Sequence, residues 1–127
     1  MEDEKTAQKE EMKQSAEMAK IAYQALESKM GEEIRILDIH EVSILADYFI
    51  IAHGRNPNHV RALLDEVEEK LAEAGYDPVS KEGLDTCTWG LMDFQRIIVH
   101  VFSQEARTFY NLERIWSDGK RISPEEL

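Results

Sequence analysis

Cys87 is the only cysteine in the sequence and the first candidate for nucleophilic chemistry. Attack by a thiol needs a lowered pKa and a paired base. The histidine nearest to Cys87 in sequence is His100, which we expect on the neighbouring strand. No flanking signature of a thiol enzyme accompanies Cys87. The pattern therefore favours a small, partly buried thiol over a catalytic one.

The four histidines are the next candidates, because imidazole can bind a metal or move a proton. Zinc sites bring their ligands together at helix or turn spacing. His53 and His59 are six residues apart across a turn, His40 and His100 stand alone, and there is no cysteine pair. The pattern favours histidines that are hydrogen-bonded or solvent-facing. We therefore predict no metal site and no cofactor.

A glycine between a buried strand and a helix is a position where many folds bind phosphate. Here the turn reads Gly54-Arg55-Asn56-Pro57, with a single glycine and no lysine. It matches neither a Walker A motif nor a dinucleotide fingerprint. A plain helix start explains it, because Asn56 can cap the helix and Pro57 suits its first turn.

Trp89, Leu91 and Asp93 alternate along a predicted strand and therefore project from one face. An aromatic, an aliphatic and an acidic side chain together suit a binding surface. The alternative is that Trp89 and Leu91 belong to the core and that Asp93 starts a turn at the strand end. The pattern alone leaves both interpretations open.

Composition limits the class of partner. The chain has 127 residues and a net charge of -11, and its basic residues are scattered. Such a protein is repelled by phosphate backbones and favours a basic partner, so we predict no sequence-specific nucleic-acid binding. No apolar run suits a membrane span, and the N-terminus has no secretory pattern. One cysteine fits a reducing cytoplasm.

The elements that must position these residues follow the order α-β-β-α-β-β-β-α. Gly31 and Gly75 are placed to end the first two helices at their C′ positions. The order predicts an α/β (α+β) fold with a mixed sheet of about five strands flanked by helices. We predict a single domain over 15–118, a frayed extension over 1–14 and a C-terminal tail over 119–127. The predicted helices cover about 9–30, 56–74 and 104–116, and the predicted strands cover 33–39, 47–52, 77–80, 88–93 and 97–102.

Five motifs in a fixed order resemble the ribosomal silencing factor family, also called the Iojap family. They are Asp47-Tyr48-Phe49-Ile50-Ile51-Ala52-x-Gly54, Glu82-Gly83, Trp89-x-x-x-Asp93, Val99-His100-Val101-Phe102, and Arg107-x-x-Tyr110-x-Leu112-Glu113-x-x-Trp116. The resemblance covers about residues 18–116.

The resemblance implies a nucleotidyltransferase-like fold that has lost catalysis. It also implies a cytoplasmic factor that binds the large ribosomal subunit through large-subunit protein number fourteen and blocks joining of the small subunit, thereby repressing translation. Trp89 and Asp93 match family positions at or near the docking surface, and Leu91 between them is expected to share the role. Tyr110 and Glu113 match family positions in the last helix and are expected to contact the partner.

Two positions depart from the family pattern. Gln95 stands in the hairpin where the family usually has glycine, so we expect a different turn, because glutamine is disfavoured at a positive φ. Asn56 stands where the family usually has serine, and both residues cap helices.

Three hypotheses follow. The first is a binding module that silences ribosomes. The second is a residual nucleotidyltransferase or hydrolase that uses Asp38, His40 or Cys87. A nucleotidyltransferase needs a Gly-Ser turn and two carboxylates one residue apart on a strand, and the sequence has neither, so we predict no catalytic residues. The third is a homodimer in which Trp89 and its neighbours bury against a second copy.

Overall fold

The structure, a computed structural model, describes the backbone of residues 2–127 and the side chains of residues 6–127. Six strands and four α-helices follow one another, with a 3-10 turn over Pro124–Glu126. The helices are α1 (Glu2–Ser28), α2 (Pro57–Glu73), α3 (Gln104–Tyr110) and α4 (Leu112–Ile115). The strands are β1 (Glu32–Asp38), β2 (Tyr48–Gly54), β3 (Ser80–Glu82), β4 (Trp89–Asp93), β5 (Ile97–Ser103) and β6 (Lys120–Ile122).

All six strands form one mixed sheet in the order β3-β4-β5-β2-β1-β6. The two central strands, β2 and β5, run parallel, and the other neighbouring pairs are antiparallel. Every residue of β2 is buried, as its near-continuous apolar run predicts. The predicted mixed α/β class is confirmed. The likeness to nucleotidyltransferases stays a prediction.

The sixth strand lies in the segment that we expected to be a tail. In β6, Ile122 pairs with Ile36 of β1, and Lys120 pairs with Asp38. A three-residue strand with two charged side chains has no alternating apolar pattern, so its sequence carries no strand signal. At the other end of the chain, α1 begins at Glu2 rather than near residue 9. Met1 lies outside the described residues.

The ends of α2 follow the sequence prediction. The side chain of Asn56 accepts a hydrogen bond from the backbone N–H of His59 at 2.8 Å, and Pro57 is the first helical residue. Gly75 follows the helix with φ 94°, and the N–H of Tyr76 donates to the carbonyl of Leu71 at 2.8 Å. The apolar stripe is buried as predicted, at Val60, Leu63, Leu64, Val67 and Leu71.

The end of α1 differs from the prediction by one residue. Met30, not Gly31, adopts the left-handed conformation, with φ 62°. The N–H of Gly31 donates to the carbonyl of Leu26 at 2.8 Å, and the N–H of Met30 donates to the carbonyl of Glu27 at 3.0 Å. These two bonds form a Schellman motif in which Met30 occupies C′. Glycine has no steric penalty there and methionine has one, so Met30 is a strained position.

The predicted last helix is broken at Asn111. This residue is left-handed, with φ 46° and ψ 57°, and it separates α3 from α4. Asparagine adopts this conformation more easily than most residues, which explains the position of the break. After the break, the ring of Trp116 packs edge-on against Phe49, with 5.2 Å between ring centroids.

The sheet separates two apolar cores. Helices α1 and α2 cover one face, and the buried residues there include Leu26, Ile50, Leu63, Met92 and Val99. On the other face the buried residues include Leu37, Phe49, Ile51, Ile98 and Phe102. Helix α3 packs on β5 and β2 on this second face, and Trp116 packs there on Phe49. Among the described residues, no helix combines the length and the apolar character needed to cross a membrane.

Candidate partner-binding surface

Strand β4 presents Trp89, Leu91 and Asp93 on the second face of the sheet. All three side chains are half-buried, whereas Gly90 and Met92, which alternate with them, are fully buried. Gly90 is required by packing, since a Cβ there would lie 2.3 Å from a methyl group of Leu64. The structure therefore combines the two interpretations of this strand. The residues pack on the second core and also reach solvent.

Three side chains hold the indole ring of Trp89 in place. It stacks on Phe102 with 5.0 Å between ring centroids, and it contacts the ring of Tyr110 at 4.6 Å. Its Nε1–H donates to Nδ1 of His100 at 3.1 Å. An aromatic ring that is fixed on one side and reaches solvent on the other suits an interface anchor.

His100 is a buried polar residue within the second core, with 4% of its surface exposed. Burial lowers its pKa from 6.5 to about 4, so the ring is neutral near pH 7. Because the Trp89 indole can only donate, Nδ1 must accept, and the ring proton therefore lies on Nε2. Within the described part of the chain, Nε2 is buried and has no hydrogen-bond partner. An unpaired buried donor costs about 1–3 kcal/mol.

Asp93 starts the turn between β4 and β5. Its Oδ1 accepts a hydrogen bond from the backbone N–H of Gln95 at 2.7 Å. Gln95 has φ 76°, so it adopts the positive φ that we expected glutamine to avoid. The hydrogen bond to Asp93 holds this strained residue in the turn. Asp93 therefore has a structural role beside any contact with a partner.

Helix α3 extends the exposed aromatic area beyond Trp89. Tyr110 is 42% exposed, and the neighbouring Phe109 is 81% exposed. Their rings meet edge to face with 5.2 Å between centroids. We call the area formed by Trp89, Leu91, Asp93, Phe109 and Tyr110 the β4–α3 surface. An exposed contiguous aromatic cluster of this kind is typical of an interaction site.

Glu113 is placed differently from the other predicted contact residues. Its Oε1 accepts hydrogen bonds from Nε and Nη2 of Arg107 at 3.2 and 3.0 Å. Nη1 of Arg107 donates to the carbonyl of Glu32 at 3.2 Å and lies 3.1 Å from Nδ1 of His53. Arg107 is buried, so this network fixes α3 and α4 to β1 and β2. The carboxylate of Glu113 is thus engaged within the chain.

The candidate catalytic residues do not form one site. Cys87 is buried in the core under α1 and α2, and its thiol donates to the carbonyl of Leu84 at 3.3 Å. His100 belongs to the opposite face of the sheet. Asp38 and His40 contact each other at the end of β1, and this hydrogen bond raises the pKa of His40. Among the described residues, no group of three or more metal-binding side chains is close enough to hold an ion.

Sequence reasoning missed the roles of His100, Phe109 and Arg107. A single polar residue in the apolar run of β5 is a signal for a buried hydrogen bond, because a strand buried on both faces excludes solvated side chains. Phe109 gave no usable signal, since its position in a predicted helix did not indicate that its side chain would be exposed. The partners of Arg107 on β1 and β2 are far from it in sequence and could not be inferred.

Fold and surface together define a mixed α/β domain with an exposed aromatic surface. The family model described as "Ribosomal silencing factor during starvation" matches residues 12–127. The ribosomal silencing factor RsfS of Bacillus subtilis is 39% identical over 100 residues, which cover 79% of this chain and 85% of that protein. A crystallised protein from Chromobacterium violaceum is 36% identical with a TM-score of 0.78, covering 84% of this chain and 88% of that one.

Organellar proteins also match. Chloroplastic Iojap of Arabidopsis thaliana is 30% identical over 108 residues, which cover 85% of this chain and 43% of that protein. The mouse protein named mitochondrial assembly of ribosomal large subunit protein 1 is 27% identical over 95 residues, covering 72% of this chain and 42% of that protein. The chain belongs to the ribosomal silencing factor family, which confirms the resemblance to it.

Proposed function

We propose that this chain binds the large ribosomal subunit through large-subunit protein number fourteen and sterically blocks joining of the small subunit, so that translation is repressed. Membership of the ribosomal silencing factor family supports the ribosome as the target. The name of the mouse relative supports the large subunit. The single observation that carries a docking role is the solvent-reaching Trp89 ring, stacked on Phe102 and Tyr110.

The β4–α3 surface is the part of the chain that we assign to docking. Trp89, Phe109 and Tyr110 supply aromatic area, which contributes strongly to protein interfaces. Leu91 and Asp93 extend the surface along β4. Glu113 contributes indirectly in this proposal, by holding Arg107 and therefore α3 in place.

Charge favours a protein partner over ribosomal RNA. The net charge of -11 repels a polyanionic backbone, and it speeds the encounter with a basic ribosomal protein. Steric occlusion then needs no chemistry. A compact chain of this length is about 30 Å across, which is enough to keep two subunit surfaces apart.

Catalysis is not part of the proposal. Family members carry names of regulatory proteins. Cys87 and His100, the candidate nucleophile and base, lie on opposite faces of the sheet. We expect a titration with nucleotide and Mg²⁺ to detect no binding. Tight, saturable nucleotide binding would favour the residual-enzyme alternative.

A second copy of the chain is the competing occupant of the β4–α3 surface. Phe109 is exposed and could bury against its own symmetry mate, so the isolated protein could form a homodimer. Light scattering at several concentrations measures this directly. A dimer that dissociates when large subunits are added is compatible with the proposal, because both partners would compete for one surface.

Co-sedimentation with isolated large subunits tests the proposal. The wild-type chain should pellet with them, and Trp89→Ala should remain mostly in the supernatant. Met30→Gly is the control, because Met30 is a large, exposed side chain that follows α1 and lies outside the β4–α3 surface. If the wild type does not pellet, the ribosomal target is wrong. If Trp89→Ala pellets like the wild type, the assigned surface is wrong.

A further inference from the structure

His100 is a polar side chain where an apolar one would pack as well. Its neighbours across the sheet are Leu91 on β4 and Ile51 on β2, and the edge of its ring meets Phe49 at 4.8 Å. All of these neighbours are apolar, and the Nε2–H of His100 has no acceptor among the described residues. A phenylalanine of similar shape would remove the unpaired Nε2–H, but it would also remove the acceptor of the Trp89 indole N–H. The histidine therefore needs an explanation other than core packing.

The side-chain hydrogen bond of His100 to Trp89 points to that explanation. It accepts from the indole Nε1–H of Trp89 at 3.1 Å, across the pair of strands β4 and β5. Phe102 and Tyr110 hold the plane of the indole by ring contacts, but ring contacts alone do not select between the two orientations that differ by a half-turn about χ2. A hydrogen bond to Nε1 selects one of these orientations because it fixes one defined atom of the ring.

We propose that His100 is a positioning residue for partner binding, which holds the Trp89 indole in the orientation that docks. This inference rests on the proposed function, because it assumes that Trp89 contacts the partner. An anchor that is oriented before binding loses less conformational freedom on association, so a fixed indole binds more tightly than a mobile one. The unpaired Nε2–H of His100 lowers the stability of the fold, whereas its Nδ1 fixes the orientation of the Trp89 anchor.

Burial supports this role. Because the pKa of His100 is lowered to about 4, the ring stays neutral at physiological pH and Nδ1 remains free to accept. A histidine at this position is therefore a fixed acceptor and not a switch in that pH range. Replacing it by phenylalanine keeps a ring in the core and removes only the acceptor and the unpaired donor.

The test compares His100→Phe with His100→Asn, whose side-chain oxygen can still accept. We expect His100→Phe to fold with little change in stability, because the loss of the Trp89 hydrogen bond and the removal of the unpaired Nε2–H have opposite effects. We expect it to bind isolated large subunits roughly two- to tenfold more weakly, the loss that one neutral hydrogen bond represents. In NMR spectra of a Trp116→Phe background, where Trp89 is the only tryptophan, its indole N–H should exchange with solvent faster in His100→Phe. His100→Asn should restore slow exchange and part of the affinity.

A double-mutant cycle tests the docking role of Trp89 and the positioning role of His100 separately. In a Trp89→Ala background, His100→Phe should change affinity no further, because there is no indole to position. If Trp89→Ala binds like the wild type, the assigned docking surface is wrong, and the proposed role of His100 is then wrong as well. If Trp89→Ala weakens binding but His100→Phe does not, or if the indole N–H is equally protected without His100, only the positioning role is overturned.

Discussion

The guanidinium of Arg107 donates two hydrogen bonds to one carboxylate oxygen of Glu113, at 3.2 and 3.0 Å, and the same guanidinium reaches the Glu32 carbonyl on β1. This relationship gives Glu113 a structural role within the chain. The family resemblance implied a direct contact with the partner. That contact stays a prediction, and the structure adds a partner within the chain that makes Glu113 part of the attachment of α3 to the sheet.

The first prediction concerns this pair. Glu113→Ala should lower the free energy of unfolding by about 1–3 kcal/mol, because it leaves the buried Arg107 without its carboxylate. Chemical denaturation measures this loss, and Glu105→Ala is the control, since Glu105 is an exposed acid of the same helical region. A Glu113→Ala variant with wild-type stability and weak ribosome binding would mean that Glu113 contacts the partner directly and does not act through Arg107.

The second prediction separates binding from stability on the β4–α3 surface. Phe109→Ala should change the free energy of unfolding by less than about 0.5 kcal/mol, because the side chain is 81% exposed. It should weaken binding to large subunits by about tenfold or more, as expected for an aromatic anchor. Trp89→Ala should weaken both binding and stability, since Trp89 also packs on Phe102. Unchanged binding in Phe109→Ala would mean that α3 does not belong to the docking surface.

The third prediction concerns the strained end of α1. Met30→Gly should raise the free energy of unfolding by about 1 kcal/mol, because glycine adopts the φ of 62° without a steric penalty. Gln24→Gly, an exposed position inside the same helix, should lower it by about the same amount. The opposite signs would show that the gain depends on the C′ position. Met30→Gly with wild-type or lower stability would count against the Schellman geometry.

The fourth prediction concerns pH. The pKa of His100 is lowered from 6.5 to about 4 in the folded chain, so between these values the unfolded chain binds more protons. Wild-type stability should therefore fall as pH is lowered from about 6.5 towards 4, by up to about 3 kcal/mol at about 1.4 kcal/mol for each pKa unit. His100→Phe lacks this contribution, so its stability should fall less over the same range.

His40 acts in the opposite direction, and the comparison of the two proteins removes its effect. Its hydrogen bond with Asp38 raises the pKa of His40, so it stabilises the fold at low pH and this contribution is lost as pH rises. Both proteins contain His40, and the difference between their pH profiles therefore reports His100. Parallel profiles from pH 7 to pH 4 would mean that His100 is not buried as a neutral ring.

The features that sequence could predict are those set by local pattern. Helix α2 has a capping Asn56, a following proline, an apolar stripe and a final Gly75, and all four signals agree. Strand β2 was predictable because of its near-continuous apolar run over 48–52. In both elements the local signals coincide with the environment in the folded chain, which is the condition under which sequence reasoning succeeds.

The features that sequence could not predict depend on distant contacts. Strand β6 exists because Ile122 meets Ile36 across the sheet edge, and nothing in its own residues indicates a strand. The break at Asn111 divides a stretch that reads as one helix. The candidate site likewise has one feature that the sequence predicts and one that it does not. The alternation of Trp89, Leu91 and Asp93 was visible in the sequence, whereas the bond from Trp89 to His100 required the register of β4 on β5.

The most direct test of the account is a subunit-joining assay, in which the protein is titrated against a fixed amount of large subunits before small subunits are added. Steric occlusion predicts that inhibition saturates near one equivalent of protein and is relieved by excess small subunits, because both compete for the same surface. Phe109→Ala should shift the titration to higher concentration, and Met30→Gly should not. Silencing of the whole pool by a small fraction of an equivalent would contradict the account, because it would require turnover and therefore catalysis.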